Sequence, residues 1–302
     1  MPAKREKRRD EMVDSMRTIN WFNCLCEELG TYKPREIQRI LQPHIIENRD
    51  DVKNNRYLEY SRGMHVPYPA LVLCAEKLVK GSSWELNHVL WSVLRHETSV
   101  QGHATEWLHQ LVPIIVGLVF DSRHDICLRG DRHFLGSLER RASMDSLTAL
   151  TVILRLNHER GDYEQVWECA KSIFRVLLII GSDFNKRGIS ERVFTLYRER
   201  VFNLARFNGC RMYLENCNYP GLSGAFHELS EHLRQRSSHA RDRKMASYYA
   251  MQILNGQRIQ SSQKFFEPLI GPDLDIGPPT LESIDRYRQS IQELGLKENR
   301  DS

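Results

Sequence analysis

Residues 145–180 read DSLTALTVILRLNHERGDYEQVWECAKSIFRVLLII, and their spacing decides the fold class. In residues 145–158, Leu147, Leu150 and Leu154 return at the interval of one helix face. In residues 162–180, Tyr163, Val166, Trp167, Ala170, Ile173, Phe174, Leu177 and Leu178 follow the i, i+3, i+4, i+7 pattern of an amphipathic helix. Only residues 159–161 separate the two runs, so the spacing predicts an antiparallel helical hairpin.

The same period extends outward in both directions. Met12, Met16, Ile19, Phe22, Cys26 and Leu29 predict a helix over residues 11–29 that ends at Gly30. A second short helix should follow Pro34, carry Ile37, Ile40 and Leu41 on one face, and stop at Pro43. A third is expected over residues 50–61, ending at Gly63, and a fourth after Pro69 with Leu71, Cys74, Ala75 and Leu78 inward. Leu86, Leu90 and Leu94 continue the pattern, which breaks at Gly102 and resumes around Trp107. Residues 121–142, with Gly130, Gly136 and many charges, read as a long connection. Val193, Tyr197, Val201, Leu204 and Ala205 mark a further helix, two more are expected over 223–235 and 239–256, and the proline-rich residues 271–280 read as a linker to a short charged C-terminal helix. No run alternates Val, Ile and Thr as a strand would, so no sheet is expected. The expectation is an all-α protein of nine to eleven helices: an N-terminal helical bundle over residues 1–100 packed on a larger helical domain over 101–270, then residues 271–302 as linker and short helix.

Composition bounds the class. Hydrophobic residues make up 41% and charged residues 27% of the 302, too apolar for a disordered chain and too polar for a membrane protein. The most apolar stretch, residues 111–120, is too short for a bilayer and contains Pro113 and Gly117. The basic start of the chain lacks the apolar core of a signal peptide, which predicts a cytosolic protein. Seven scattered cysteines, an odd number, predict reduced thiols.

One short segment resembles a known family. Tyr60, Arg62, Gly63 and Pro67, ahead of an apolar helix through Leu78, fit the end of the recognition helix in phage-repressor (Cro-type) helix-turn-helix regulators. The resemblance covers residues 33–79, with Leu58 and Ser61 standing where that family prefers a small hydroxyl residue and an acid. It implies that the third helix meets the DNA major groove, where Lys53, Asn54, Asn55 and Arg56 have suitable side chains. Asparagine can pair with adenine, arginine with guanine, and lysine neutralises phosphate. Arg62 joins this set. The resemblance further implies a homodimer over two half-sites about 34 Å apart. The apolar stretch 84–120, with Trp84, Trp91, Trp107, Leu111, Ile114, Ile115 and Leu118, is the candidate dimer surface, and core packing is the other reading of it. The same residues also fit an ordinary solvated helix face.

Residues 183–258 carry thirteen basic and seven acidic side chains, a larger surplus than the net charge of +4 for the whole chain. Arg198, Arg200, Arg206 and Arg211, then Arg234, Arg236, Arg241, Arg243 and Lys244, could line a surface for nucleic acid or an acidic protein, or simply be solvated. Tyr248 and Tyr249 could stack on bases or fill a core. Separately, residues 160–164 (Arg-Gly-Asp-Tyr-Glu) resemble the turn of a tetratricopeptide repeat, but no second copy follows. That turn raises the alternative of a helical scaffold or adaptor binding a protein partner through residues 145–180.

No chemistry-bearing constellation is evident. His227 and His232 lie five apart, on different sides of a helix, and Cys24 with Cys26 and Cys210 with Cys217 lack zinc-ligand spacing. There is no P-loop, dinucleotide fingerprint or nucleophile elbow. Ser143, after Arg140 and Arg141, suits a helix cap better than a kinase site. The reading is therefore a non-catalytic nucleic-acid binder, DNA first, without metal or cofactor.

Overall fold

Helical periodicity becomes helix along most of what the computed structural model describes, residues 10–43, 55–95, 99–128, 131–236, 245–257 and 266–273. The chain forms two compact units. Unit 1 is Met1–Arg95 with Phe184–Val193, and unit 2 is His96–Asp183 with Phe194–Ser302. The fold is all-α, with one small sheet.

Unit 1 begins with α1, Glu11–Leu29, started by the Asp10 side chain, which accepts the Val13 N–H at 3.2 Å, and stopped at Gly30. Among the described residues five shorter helices follow: α2 Pro34–Leu41, α3 Arg56–Ser61, α4 Pro69–Leu78, α5 Ser82–Asn87 and α6 Val89–Val93. Their shared core joins Trp21, Phe22 and Leu25 of α1 to Ile37 and Leu41, Tyr57 and Tyr60, Leu71, Val72 and Ala75, and Leu86. Several residues expected inward fall outside it, Met12 at 41% exposure and the half-buried Cys74 among them. Ile40 and Leu78 are 40% and 54% exposed, because the buried stripes centre on Ile37, Gln38 and Leu41 in α2 and on Leu71, Val72 and Ala75 in α4. At about 100° per residue Leu78 lies roughly 65° and Ile40 roughly 105° off those centres.

Residues 184–193 join unit 1 through Arg187. Its guanidinium pairs with Glu85 and lies 3.7 Å from Glu27, while its carbonyl accepts from Asn23 Nδ2 at 2.7 Å. Asn20 Nδ2 donates to the same Glu85 carboxylate at 2.9 Å. A linear reading places the domain boundary once, near residue 100, and has no means of seeing this return.

Unit 2 contains α7 Ala104–His109, α8 Pro113–Val119, α9 Arg132–Glu139 and α10 Met144–Arg160. Next come α11 Tyr163–Lys186 and α12 Ser190–Arg200, then α13 Tyr219–Gln235 and α14 Met245–Leu254. The division between units falls within α11 and α12. The expectation of nine to eleven helices is too low, since residues 82–119 are cut into four short ones. Within the stretch read as a connection, α9 forms because Asp131 accepts the Phe134 N–H at 2.6 Å and Leu135 and Leu138 are buried. Ser143 caps α10, accepting the Ser146 N–H at 3.2 Å.

The unit 2 core links α11, α12 and α13 through rings: Phe194 stacks on Tyr219 at 4.6 Å, and Phe174 meets both Phe194 and Phe202 edge-on. Tyr219 donates to the Leu177 carbonyl at 2.7 Å, and the Tyr197 and Thr151 hydroxyls share a hydrogen bond at 3.0 Å. α9 is tied to α11 by Glu139, which accepts from Ser172 Oγ at 2.7 Å and lies 3.1 Å from Arg175 Nε.

The expectation of no sheet is corrected. Three antiparallel strands, β1 Arg206–Phe207, β2 Cys210–Tyr213 and β3 Leu269–Pro272, run in the order β1-β2-β3. β3 occupies the start of the stretch read as linker. Strands of two to four residues are too short to show alternation, and β3 pairs with β2 across a long separation in sequence. The overlooked signal is Asn208-Gly209, the dipeptide that favours a two-residue hairpin turn, with φ of 49° and 68° as a type I′ turn requires.

Candidate nucleic-acid interface

The candidate recognition element in unit 1 starts from two tyrosines. Tyr57 and Tyr60, three apart on α3, turn the same face inward and are each 2% exposed. Their rings meet at 5.7 Å, and Tyr60 meets Trp21 of α1 edge-on at 6.1 Å. The Tyr57 hydroxyl donates to Gln42 Oε1 at 3.1 Å, and Gln42 Nε2 donates to Tyr68 at 2.6 Å. Burial pushes both tyrosine hydroxyls above their ordinary range, with Arg56 pulling partly back on Tyr60.

Gly63 closes the helix. Its φ is +69°, its N–H reaches the Tyr60 carbonyl at 3.0 Å, and Met64 N–H reaches the Glu59 carbonyl at 2.9 Å. A Cβ on Gly63 would fall 2.5 Å from the Ser15 carbonyl oxygen, so glycine is required both by the backbone angle and by the approach to α1.

With the tyrosines inward, other residues of α3 and its two caps are left toward the surface. Asn55, Arg56, Leu58 and Arg62 are exposed, and Glu59 and Ser61 half-buried. Asn55 holds the N-cap position of α3 yet makes no capping hydrogen bond with its side chain. Arg62 takes the C-cap position, and no ion pair among the described residues involves it. Glu59 brings a carboxylate to this face, 3.6 Å from His65 Nε2. On α2, Arg35 and Arg39 are also exposed, one turn apart. Lys53 and Asn54 lie outside the described residues, as do Arg241, Arg243 and Lys244. Of the expected set the structure places Asn55 and Arg56 at the start of α3 and Arg62 at its end, all three exposed.

The second basic region is different. Arg206 lies 3.1 Å from Asp273, whose side chain has no exposure. Arg211 lies 3.1 Å from Glu215 and 4.6 Å over the Tyr213 ring, Arg234 pairs with Glu231, and Arg198 approaches Glu199 at 3.7 Å. These four arginines therefore each have a carboxylate neighbour, three of them among the seven acids already counted and one, Asp273, beyond that stretch. Of the tyrosine pair, Tyr248 is 48% exposed and Tyr249 is buried.

The candidate dimer stretch is mostly internal: Trp91, Trp107, Leu111 and Ile115 are buried, while Trp84 and Ile114 stay exposed. Cysteine chemistry is quiet as well. All seven are free thiols, and burial pushes Cys24 up to about 11 and Cys26 and Cys169 to about 12. Among the described residues no three His, Cys, Asp or Glu side chains come together to hold a metal ion. Among the same residues no helix is long and apolar enough to cross a membrane.

Compared with models of protein families, with curated proteins and with solved structures, the chain finds no match.

Proposed function

We propose that unit 1 is a nucleic-acid-binding module that meets duplex DNA through α3, in a non-catalytic cytosolic regulator. One observation carries the reading: α3 is fixed by two buried tyrosines and a glycine stop while Asn55, Arg56 and Arg62 stand exposed around it. A rigid short helix with an uncapped asparagine and two arginines offers bidentate partners for base edges and charge for phosphates. The exposed Arg35 and Arg39 of α2 add phosphate contacts. A dimer suits two half-sites.

Selection of bound duplexes from a random pool tests the reading. The wild-type chain is expected to enrich a sequence, and the double substitution Asn55→Ala, Arg56→Ala to lose discrimination worth about 1–3 kcal/mol per base contact. Enrichment of the same sequence by the double variant would remove α3 as the reading element.

A further inference from the structure

The tip of the α10–α11 turn and the β1–β2 hairpin, both within unit 2, come together around an open cleft of about 730 Å³. That size takes a small organic molecule or a few residues of peptide. Nothing in the DNA reading uses it.

The walls follow from local structure. Gly161 and Asp162 are the whole link between α10 and α11, and Asp162 Oδ1 accepts the Gln165 N–H at 3.2 Å to start α11. This sets Tyr163, 49% exposed, at the first position of the helix, with its ring edge-on to His158 at 6.0 Å. Glu164 follows, exposed. From the other side the tight Asn208-Gly209 turn presents the exposed Asn208 and the half-buried Phe207.

One cation belongs to the lining, Arg206, and it is already engaged. It lies 3.1 Å from the fully buried Asp273 carboxylate, and it donates to Asn203 Oδ1 at 3.0 Å and to the Asn203 carbonyl at 3.3 Å. The charge left for a ligand is that of Asp162 and Glu164. Among the described residues, Glu164 has no hydrogen bond or ion pair through its side chain.

An anion entering the cleft would meet two carboxylates and an arginine that is spoken for. A purely apolar ligand would strip water from Glu164 without compensation. A planar or tetrahedral cation meets neither cost, since it can pair with the carboxylate and lie against the Tyr163 ring. We propose that this cleft binds a guanidinium or ammonium group, carried on a small free amine or on a basic peptide side chain, with Glu164 as ion partner and Tyr163 as ring partner.

Titration of the full chain, followed by calorimetry, tests this with four probes: argininamide, spermidine, an acetylated Gly-Arg-Gly amide, and the same peptide with citrulline. Citrulline keeps the shape of arginine and removes its charge. The arginine peptide is expected to bind at least about tenfold more tightly than the citrulline peptide. Glu164→Gln and Tyr163→Leu should each weaken it by about three- to tenfold, with the melting temperature unchanged to show that the hairpin still folds. Tighter binding of the peptide than of the free amines identifies a protein partner as the source, and equal or tighter binding of the free amines identifies a small metabolite; both outcomes support the site. Equal affinity for arginine and citrulline peptides, no binding by any probe, or unchanged affinity in both variants would overturn it.

Discussion

In unit 2, Arg175, Arg206, Arg211 and Arg234 each lie against a carboxylate, two of them against nearly or fully buried ones; in unit 1, Arg62 stands exposed at the end of α3, with no ion pair among the described residues. The basic surplus is larger in the region of Arg206, Arg211 and Arg234, yet each of these arginines already has a carboxylate neighbour. Arginine number and arginine availability are separate quantities. The comparison predicts opposite outcomes for the same type of substitution in the two units.

The largest effect is expected for Arg175→Ala. It leaves Glu139, with a side chain 5% exposed, as an uncompensated buried charge between α9 and α11. Removing one partner of such a pair costs about 3–5 kcal/mol, read as a lower denaturation midpoint in urea. A loss under 1 kcal/mol or so would mean that the arginines of unit 2 are not structural, and the contrast would fail.

Gly63→Ala comes next. Alanine must adopt a left-handed angle and displace the Ser15 backbone, at a cost of at least about 2 kcal/mol. Because the strain falls on the α1–α3 contact, nucleic-acid affinity should fall along with stability.

Arg62→Ala is expected to leave stability within about 0.5 kcal/mol of wild type, as for other exposed positions. Its effect should fall on binding instead. Loss of one phosphate contact weakens all duplexes alike and makes the salt dependence shallower by about 0.9 in log–log slope. A destabilised protein with unchanged binding would reverse the comparison.

The smallest expected effect concerns Glu76, whose carboxylate accepts the Gly81 and Ser83 N–H groups at 2.9 and 2.7 Å at the start of α5. Those backbone hydrogen bonds hold its carboxyl below the ordinary range. A lowered carboxyl contributes stability that is present above the unfolded value, about pH 4.5, and is lost as pH falls through the lowered one. Glu76→Ala should therefore cost about 0.5–1 kcal/mol near neutral pH and nothing in strong acid, measured by denaturation at both pH values.

Legibility in the sequence follows the range of the interactions involved. α1 and α10 are read to within two residues, and α11 in its start, because long amphipathic helices repeat their pattern over several turns and the stops at Gly30 and Gly161 are local; α11 runs six residues past its expected end at 180. α9 is missed because eight residues containing a glycine show little periodicity, and β3 because it pairs across more than fifty residues. The inward face of α3 was implicit in the three-residue spacing of Tyr57 and Tyr60, which also defines the outward one. Neither the engagement of Arg206 by Asp273 nor the return of Arg187 to Glu85 and Glu27 leaves any trace in spacing, since both depend on tertiary proximity.

The central claim, that α3 and not the larger basic region provides the working charge, is tested most directly by fluorescence anisotropy of a labelled duplex between about 50 and 200 mM salt. The account predicts that affinity falls linearly in log–log form with salt, and that Arg56→Ala with Arg62→Ala weakens binding and reduces the slope by about two contacts' worth. Removing the ion-paired Arg211 and Arg234 instead should leave the slope nearly intact. No binding at the lowest salt, or a slope carried by Arg211 and Arg234 and indifferent to Arg56 and Arg62, would contradict it.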